Sequence, residues 1–169
     1  IEAKTEARDT LGKGGTILLD CPISGTGAQA VNRDLVVYGS GDEDAFNTCS
    51  PVFEGIARSN YYVGEFGNGS RMKYVANLLV HIHNVASAEA LVLGMKAGLN
   101  PEMIYNVIKD GAGNSRIFEL RGPMMVADNY DEATMKMDVW QKDIGVITEL
   151  AAAMDCPTPL FSTSTDFYR

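Results

Sequence analysis

Cysteine and histidine are scarce in this 169-residue chain, and their spacing excludes most metal and disulfide chemistry. Cys21, Cys49 and Cys156 lie far apart with no CxxC pair, which argues against a zinc site or a disulfide framework and for reduced thiols. The two histidines, His81 and His83, stand at i,i+2, where a helix points them apart, so they make a poor metal pair. No uninterrupted apolar run is long enough to cross a bilayer, and no signal-peptide pattern opens the chain. Positive charge is short as well. Against 22 acidic residues stand 14 Lys and Arg, a net charge of -8. Such a surface repels nucleic acid and anionic membranes, so neither is an expected partner, although a local basic pocket for a small anion stays open. Internal repeats and low-complexity tracts are absent. What remains, with 46% hydrophobic and 21% charged residues, is ordinary for a globular protein. The first residue is Ile1 and the last two are Tyr168 and Arg169, so the chain reads as a piece of a longer protein.

The texture changes near Gly67. Residues 1 to 11 read as the end of a helix, broken by Gly12, Gly14 and Gly15. "TILLD" (16–20) reads as a buried strand and "CPISGTGAQA" as a loop. "LVVYGSG" (35–41) is a second strand with its turn, and "NYYVGE" (60–65) a third. Between them, 42 to 58 reads as helical, with Ser50-Pro51 marking an internal restart. Beyond Gly67 only helices are expected. A long one runs from about Ser70 to Ala97. A second is capped by Asn100, starts at Pro101 and ends at Gly111. A third covers 117 to 126, with Pro123 awkward in its middle. A loop at 128–133, a helix at about 134–154 and a final helix from Pro159 complete the chain. Three strands and two helices make a poor independent sheet and look like the back half of a doubly wound one.

The long helix carries the question of function. Lys73, Asn77, His81, Asn84 and Ala88 share one face at helical spacing, among residues that are otherwise apolar nearly all round. A helix of that kind is normally buried, and an unpaired buried ammonium costs several kcal/mol. Two readings fit. In one, Lys73 snorkels to water and Asn77 bonds a neighbouring backbone. In the other, both face a cleft between two domains, Lys73 exchanging protons and Asn77 orienting a substrate. His81 and Asn84 read as satisfied core polar groups. The glycines of "GNGSRMK" make neither a P-loop, since Tyr74 follows Lys73, nor a dinucleotide fingerprint, since Met72 stands where its third glycine belongs.

Three blocks in order, "DCPISGTGAQA", "GNGSRMKYVANLL" and "KDIGVITELAAAMDCPTPL", resemble the β-hydroxyacid dehydrogenases, the family of 3-hydroxyisobutyrate dehydrogenase, tartronate semialdehyde reductase and 6-phosphogluconate dehydrogenase. The resemblance covers essentially the whole chain. It implies an α/β plus all-α fold: residues 1–66 as the C-terminal portion of a Rossmann-like NAD(P)-binding domain, then 67–169 as a helical substrate and dimerisation domain truncated at its end. It implies Lys73 as the catalytic general acid and base and Asn77 as its substrate-binding partner. Ser24 and Gly25 match the Ser-Gly-Gly element that holds the substrate carboxylate, with Thr26 in place of the last glycine. Lys142 matches a lysine near the nicotinamide. Asn114 and Ser115 of "GAGNS" fall where the family often approaches substrate.

The implied reaction is hydride transfer between NAD or NADP and a small carboxylate-bearing β-hydroxyacid, or the matching semialdehyde. Decarboxylating 6-phosphogluconate enzymes resemble one another in a His-Asn pair after the lysine, whereas Ala76 precedes Asn77 here. That favours a non-decarboxylating enzyme. Imine reductases share the architecture but generally lack the lysine. Competing readings are a non-catalytic helical dimerisation module and a decarboxylating dehydrogenase of the 6-phosphogluconate type. The implied protein is a homo-oligomer through its helical part, cytoplasmic, or of the mitochondrial matrix if a targeting segment precedes it. The residues present, lacking the nucleotide loop, are expected to be inactive alone.

Overall fold

The computed structural model describes residues 1–131 and 137–168. The chain divides into two compact units, Ile1–Ala76 and Asn77–Arg169. The expected start of the helix at 134 and end of the loop at 133 lie outside the described residues.

The first unit holds α1 (Glu2–Gly12), β1 (Ile23–Ser24), α2 (Gly27–Val31), β2 (Val36–Gly39), α3 (Glu43–Ile56), β3 (Ser59–Tyr62) and the opening turns of α4 (Asn68–Lys96). The sheet order is β1-β2-β3. β2 pairs with β3 in parallel, from Val36 opposite Ser59 to Gly39 opposite Tyr62, while β1 pairs antiparallel to β2. An antiparallel edge on a parallel pair is common in doubly wound folds. Alternate residues of β2 point inward, so Val37 joins Leu35 and Ala57 in a core flanked by Cys21 and Phe53.

Several expectations need correction here. The run 16–19 forms no strand. A strand exists only where a neighbour takes up its amides and carbonyls, and among the described residues only Asp20 does so, in a single bridge to Ser40. Ile17 is accordingly 61% exposed. The expected loop after it contains both β1 and α2. Ser50-Pro51 does not restart α3, which runs straight through. The carbonyl that Pro51 cannot serve belongs to Asn47, on the exposed face where water can reach it.

The second unit holds the rest of α4, then α5 (Pro101–Lys109), α6 (Arg116–Val126), α7 (Met137–Ala153) and α8 (Pro159–Thr165), ending in a short 3-10 turn (Asp166–Tyr168). Asn100 caps α5 by accepting the Met103 amide, with Pro101 in the first turn. α6 also tolerates its proline: the Glu119 carbonyl that Pro123 cannot bond lies 3.4 Å from the Tyr105 hydroxyl. Leu91, Ile104 and Phe118 form one core here. α4 itself is not buried all round, as its composition suggested. Leu79, Val92 and Leu93 are 48%, 50% and 72% exposed. By length and composition alone it is long and apolar enough to cross a membrane, although polar residues interrupt the run.

Candidate active site

The helix that carries Lys73 starts on an unusual footing. Gly67, before the first helical residue, has no side chain to cap with. Two first-turn amides are met from the sheet instead. Ser40 Oγ accepts the Gly69 N–H at 2.9 Å. Asp20 Oδ2 accepts the Ser70 N–H at 2.8 Å, from 50 residues away. Asp20 Oδ1 takes two further donors, the Ser70 hydroxyl at 2.9 Å and the Lys4 ammonium at 2.6 Å. The Asp20 side chain is fully buried. Burial pushes its carboxyl upward, but the bonds from Lys4 and from the Ser70 amide and hydroxyl outweigh it and leave the pKa below its ordinary value. Gly69 explains how the helix comes so near. A Cβ there would sit 2.4 Å from the carbonyl oxygens of both Asp20 and Tyr38.

Lys73 lies one turn beyond Ser70, half-buried. In the same unit, Ser24 ends β1, also half-buried, and Gly25 is exposed with φ at +131°. A side chain on Gly25 would be strained by that φ and would meet Leu35 Cδ2 at 2.4 Å. Thr26 comes next in the chain and is half-buried. It is the N-cap of α2, and its amide donates to Gln29 Oε1 at 3.0 Å, half of a capping box.

In the second unit, Asn77 is buried and its Nδ2 donates to Asp143 Oδ2 at 3.0 Å. Asp143 follows Lys142 in sequence. It turns inward, whereas Lys142 is exposed on α7. His81 is 1% exposed, with ring centroids of Tyr168, Phe161 and Trp140 at 4.0, 4.8 and 5.4 Å. Burial drives its pKa down to about 4, opposed only by a backbone hydrogen bond with Ser164. It is a neutral core imidazole. Asn84 donates to the Tyr168 hydroxyl at 3.0 Å, which donates in turn to the His81 carbonyl at 3.2 Å. Asn114 donates to Glu119 Oε1 at 2.7 Å, and Ser115 caps α6 by accepting the Phe118 amide at 3.0 Å.

Sequence reasoning passed over Asp20, Ser40, Ser70 and Asp143. Asp20 stood inside a quoted block, but its partners are remote in sequence and nothing local marks it. Among the described residues no group of three His, Cys, Asp or Glu could hold a metal ion. Of the groups a nicotinamide dinucleotide needs, Lys142 offers an exposed cation. The pyrophosphate needs a glycine-rich turn with open amides at a helix start. Here the Gly69 and Ser70 amides are already bonded to Ser40 and Asp20.

Residues 67–169 match the family described as NAD-binding of NADP-dependent 3-hydroxyisobutyrate dehydrogenase, and 1–64 match the NAD binding domain of 6-phosphogluconate dehydrogenase. L-threonate dehydrogenase of Haemophilus influenzae is 36% identical over 155 residues, 91% of this chain and 51% of that protein. The crystal structure of a 3-hydroxyisobutyrate dehydrogenase from Salmonella typhimurium superposes with a TM-score of 0.84 at 33% identity, covering 96% of this chain and 57% of that one. The Mycobacterium tuberculosis 3-hydroxyisobutyrate dehydrogenase with L-serine gives 0.83 at 26% identity, covering 97% and 58%. The chain thus spans about half the length of the curated relatives it matches. Its two-part fold, strands with helices and then helices alone, is that of the matched structures, and this chain belongs to the β-hydroxyacid dehydrogenase family.

Proposed function

We propose that the protein bearing this chain is an NAD(P)-dependent, non-decarboxylating dehydrogenase of a small β-hydroxyacid, or a reductase of the matching semialdehyde. The observation that carries the proposal is a half-buried Lys73 on a firmly seated helix start, inside a chain 36% identical to an L-threonate dehydrogenase. In this reading, residues 1–66 complete a dinucleotide-binding domain and 67–169 supply substrate contacts and the association surface.

When bound, the nicotinamide supplies the hydride acceptor or donor. The chain's own residues handle the proton and the carboxylate. As a neutral amine Lys73 takes the hydroxyl proton when the carbinol is oxidised, and as the ammonium it gives a proton to the carbonyl oxygen in reduction. The Ser24 hydroxyl and the Gly25 backbone hold the carboxylate, which fixes the carbon that reacts. The Thr26 amide already serves Gln29, so the cradle rests on Ser24 and Gly25 unless Gln29 is displaced. Asn77, held by Asp143, orients the substrate. Lys142 meets the nicotinamide end of NAD or NADP. Asn114 and Ser115 serve their own turn and helix. Ala76 before Asn77 supports the non-decarboxylating choice.

The exposed apolar residues of α4 support a homo-oligomer through the helical part. The net charge of -8 disfavours nucleic acid and anionic membranes as partners, and the free thiols Cys21, Cys49 and Cys156 favour a reducing compartment, cytoplasmic or the mitochondrial matrix. These 169 residues alone, without a complete nucleotide fingerprint, are inferred to be inactive. The test is a panel of small β-hydroxyacids, L-threonate and 3-hydroxyisobutyrate among them, with NAD+ and NADP+ on the intact protein. Turnover of at least one is expected. Tight cofactor binding with no turnover across the panel would favour the non-catalytic dimerisation module.

A further inference from the structure

α4 depends on residues of the sheet for its start. Most helices carry Ser, Thr, Asp or Asn just before the first turn, and that side chain fixes only its own local amides. Here the position is Gly67, and both caps come from the bridge pair Asp20 and Ser40. The grip on Ser70 is two-pronged. One Asp20 oxygen takes the Ser70 amide and the other takes its hydroxyl, at 2.8 and 2.9 Å. Two bonds to one residue fix rotation about the helix axis as well as height along it. The close seat beneath Gly69 blocks movement toward the sheet. Lys73 follows three residues later, about 4.5 Å farther along the axis at 1.5 Å per residue.

A neutral side chain would suffice to cap one helix. Burying a full carboxylate is costly unless its charge is met, and the Lys4 ammonium of α1 meets it at 2.6 Å. Charge-assisted hydrogen bonds are shorter and stronger than neutral ones, so the seat is stiffer than an ordinary cap. From this we propose that Asp20, balanced by Lys4 and assisted by Ser40, is a positioning residue for the reaction: it sets the place of the Lys73 ammonium without touching substrate. The inference rests on the proposed role of Lys73.

The test is steady-state kinetics of the intact protein for Asp20→Ala, Asp20→Asn, Ser40→Ala and Lys73→Ala. Rates are taken per folded molecule, counted by cofactor-binding stoichiometry. A misplaced catalytic group costs up to about a hundredfold. Asp20→Ala is expected to lower kcat by about tenfold or more, leave cofactor affinity unchanged, and shift the pH-rate profile. Asp20→Asn, which keeps one acceptor, is expected to recover part of the loss. A merely structural Asp20 would lower the folded fraction and leave kcat per folded molecule and the pH profile alone, and that result overturns the proposal. Should Asp20→Ala not fold, Ser40→Ala removes the Gly69 cap and the hydroxyl's own bonds to Asp20 while leaving the carboxylate in place, and is expected to lower kcat by about threefold; an unchanged kcat counts against the proposal. Lys73→Ala separates the two claims. If it keeps turnover, the general-base reading falls, and this inference with it. If it loses turnover while Asp20→Ala does not, only the positioning role falls.

Discussion

His81 makes the second unit sensitive to acid, and the size of the effect follows from its surroundings. The ring is enclosed by Tyr168, Phe161 and Trp140, and its pKa falls from 6.5 to about 4. In the unfolded chain the imidazole returns to its ordinary value. Between these two values the unfolded state holds the proton and the folded state does not, so lowering the pH favours unfolding. The contribution of the neutral ring is complete above about 6.5 and is lost as pH falls toward 4. Integrating the linkage from pH 7 to pH 5 gives a loss of about 2 kcal/mol. The assay is urea unfolding of the wild type and of His81→Phe at both pH values. The difference between the two pH dependences isolates His81, because His83 is present in both. The wild type should lose about 2 kcal/mol more than the variant. A folded-state Cε1–H titration of the two histidines offers a direct check. Equal pH dependence in the two proteins, or a His81 midpoint near 6.5 in the folded state, would refute the argument.

Two more outcomes follow from local geometry. Gly69→Ala must lift α4 off the sheet, because its new methyl would meet two backbone oxygens at 2.4 Å and Pro22 Cδ at 2.9 Å. Overpacking of this kind costs about 1–3 kcal/mol, and an unchanged melting temperature would show that the seat is looser than described. Lys142→Ala touches an exposed residue, so stability should change by no more than about 0.5 kcal/mol. NADH or NADPH titration of the intact variant by fluorescence should nevertheless show several-fold weaker binding; unaltered affinity would remove Lys142 from the cofactor site.

Local signals were readable where the chain states its own boundaries. Asn100-Pro101 announced α5, and the spacing of Asn77, His81 and Asn84 marked an inward face before any partner was known. The family resemblance came from ordered blocks and was met by matches over both parts of the chain. Failures arose where pairing or remote contact decides. Apolar composition at 16–19 could not supply a neighbouring strand. Pro51 and Pro123 looked disruptive, but one orphaned carbonyl belongs to the exposed Asn47 and the other meets the Tyr105 hydroxyl. Lys142 and Asp143 are adjacent in sequence yet face opposite surroundings, which only the Asn77 bond reveals. Asp20 is the clearest case. Its donors lie 16 and 50 residues away, and no periodicity connects them.

Lys73 is the proposed group that exchanges the substrate proton. Single-turnover hydride transfer, followed by nicotinamide absorbance in the intact protein with and without Lys73→Ala, addresses it most directly. The expected result is cofactor binding at wild-type affinity with hydride transfer slowed by at least about a hundredfold, within the range that general acid–base groups supply. Transfer at the wild-type rate in the alanine variant would contradict the account.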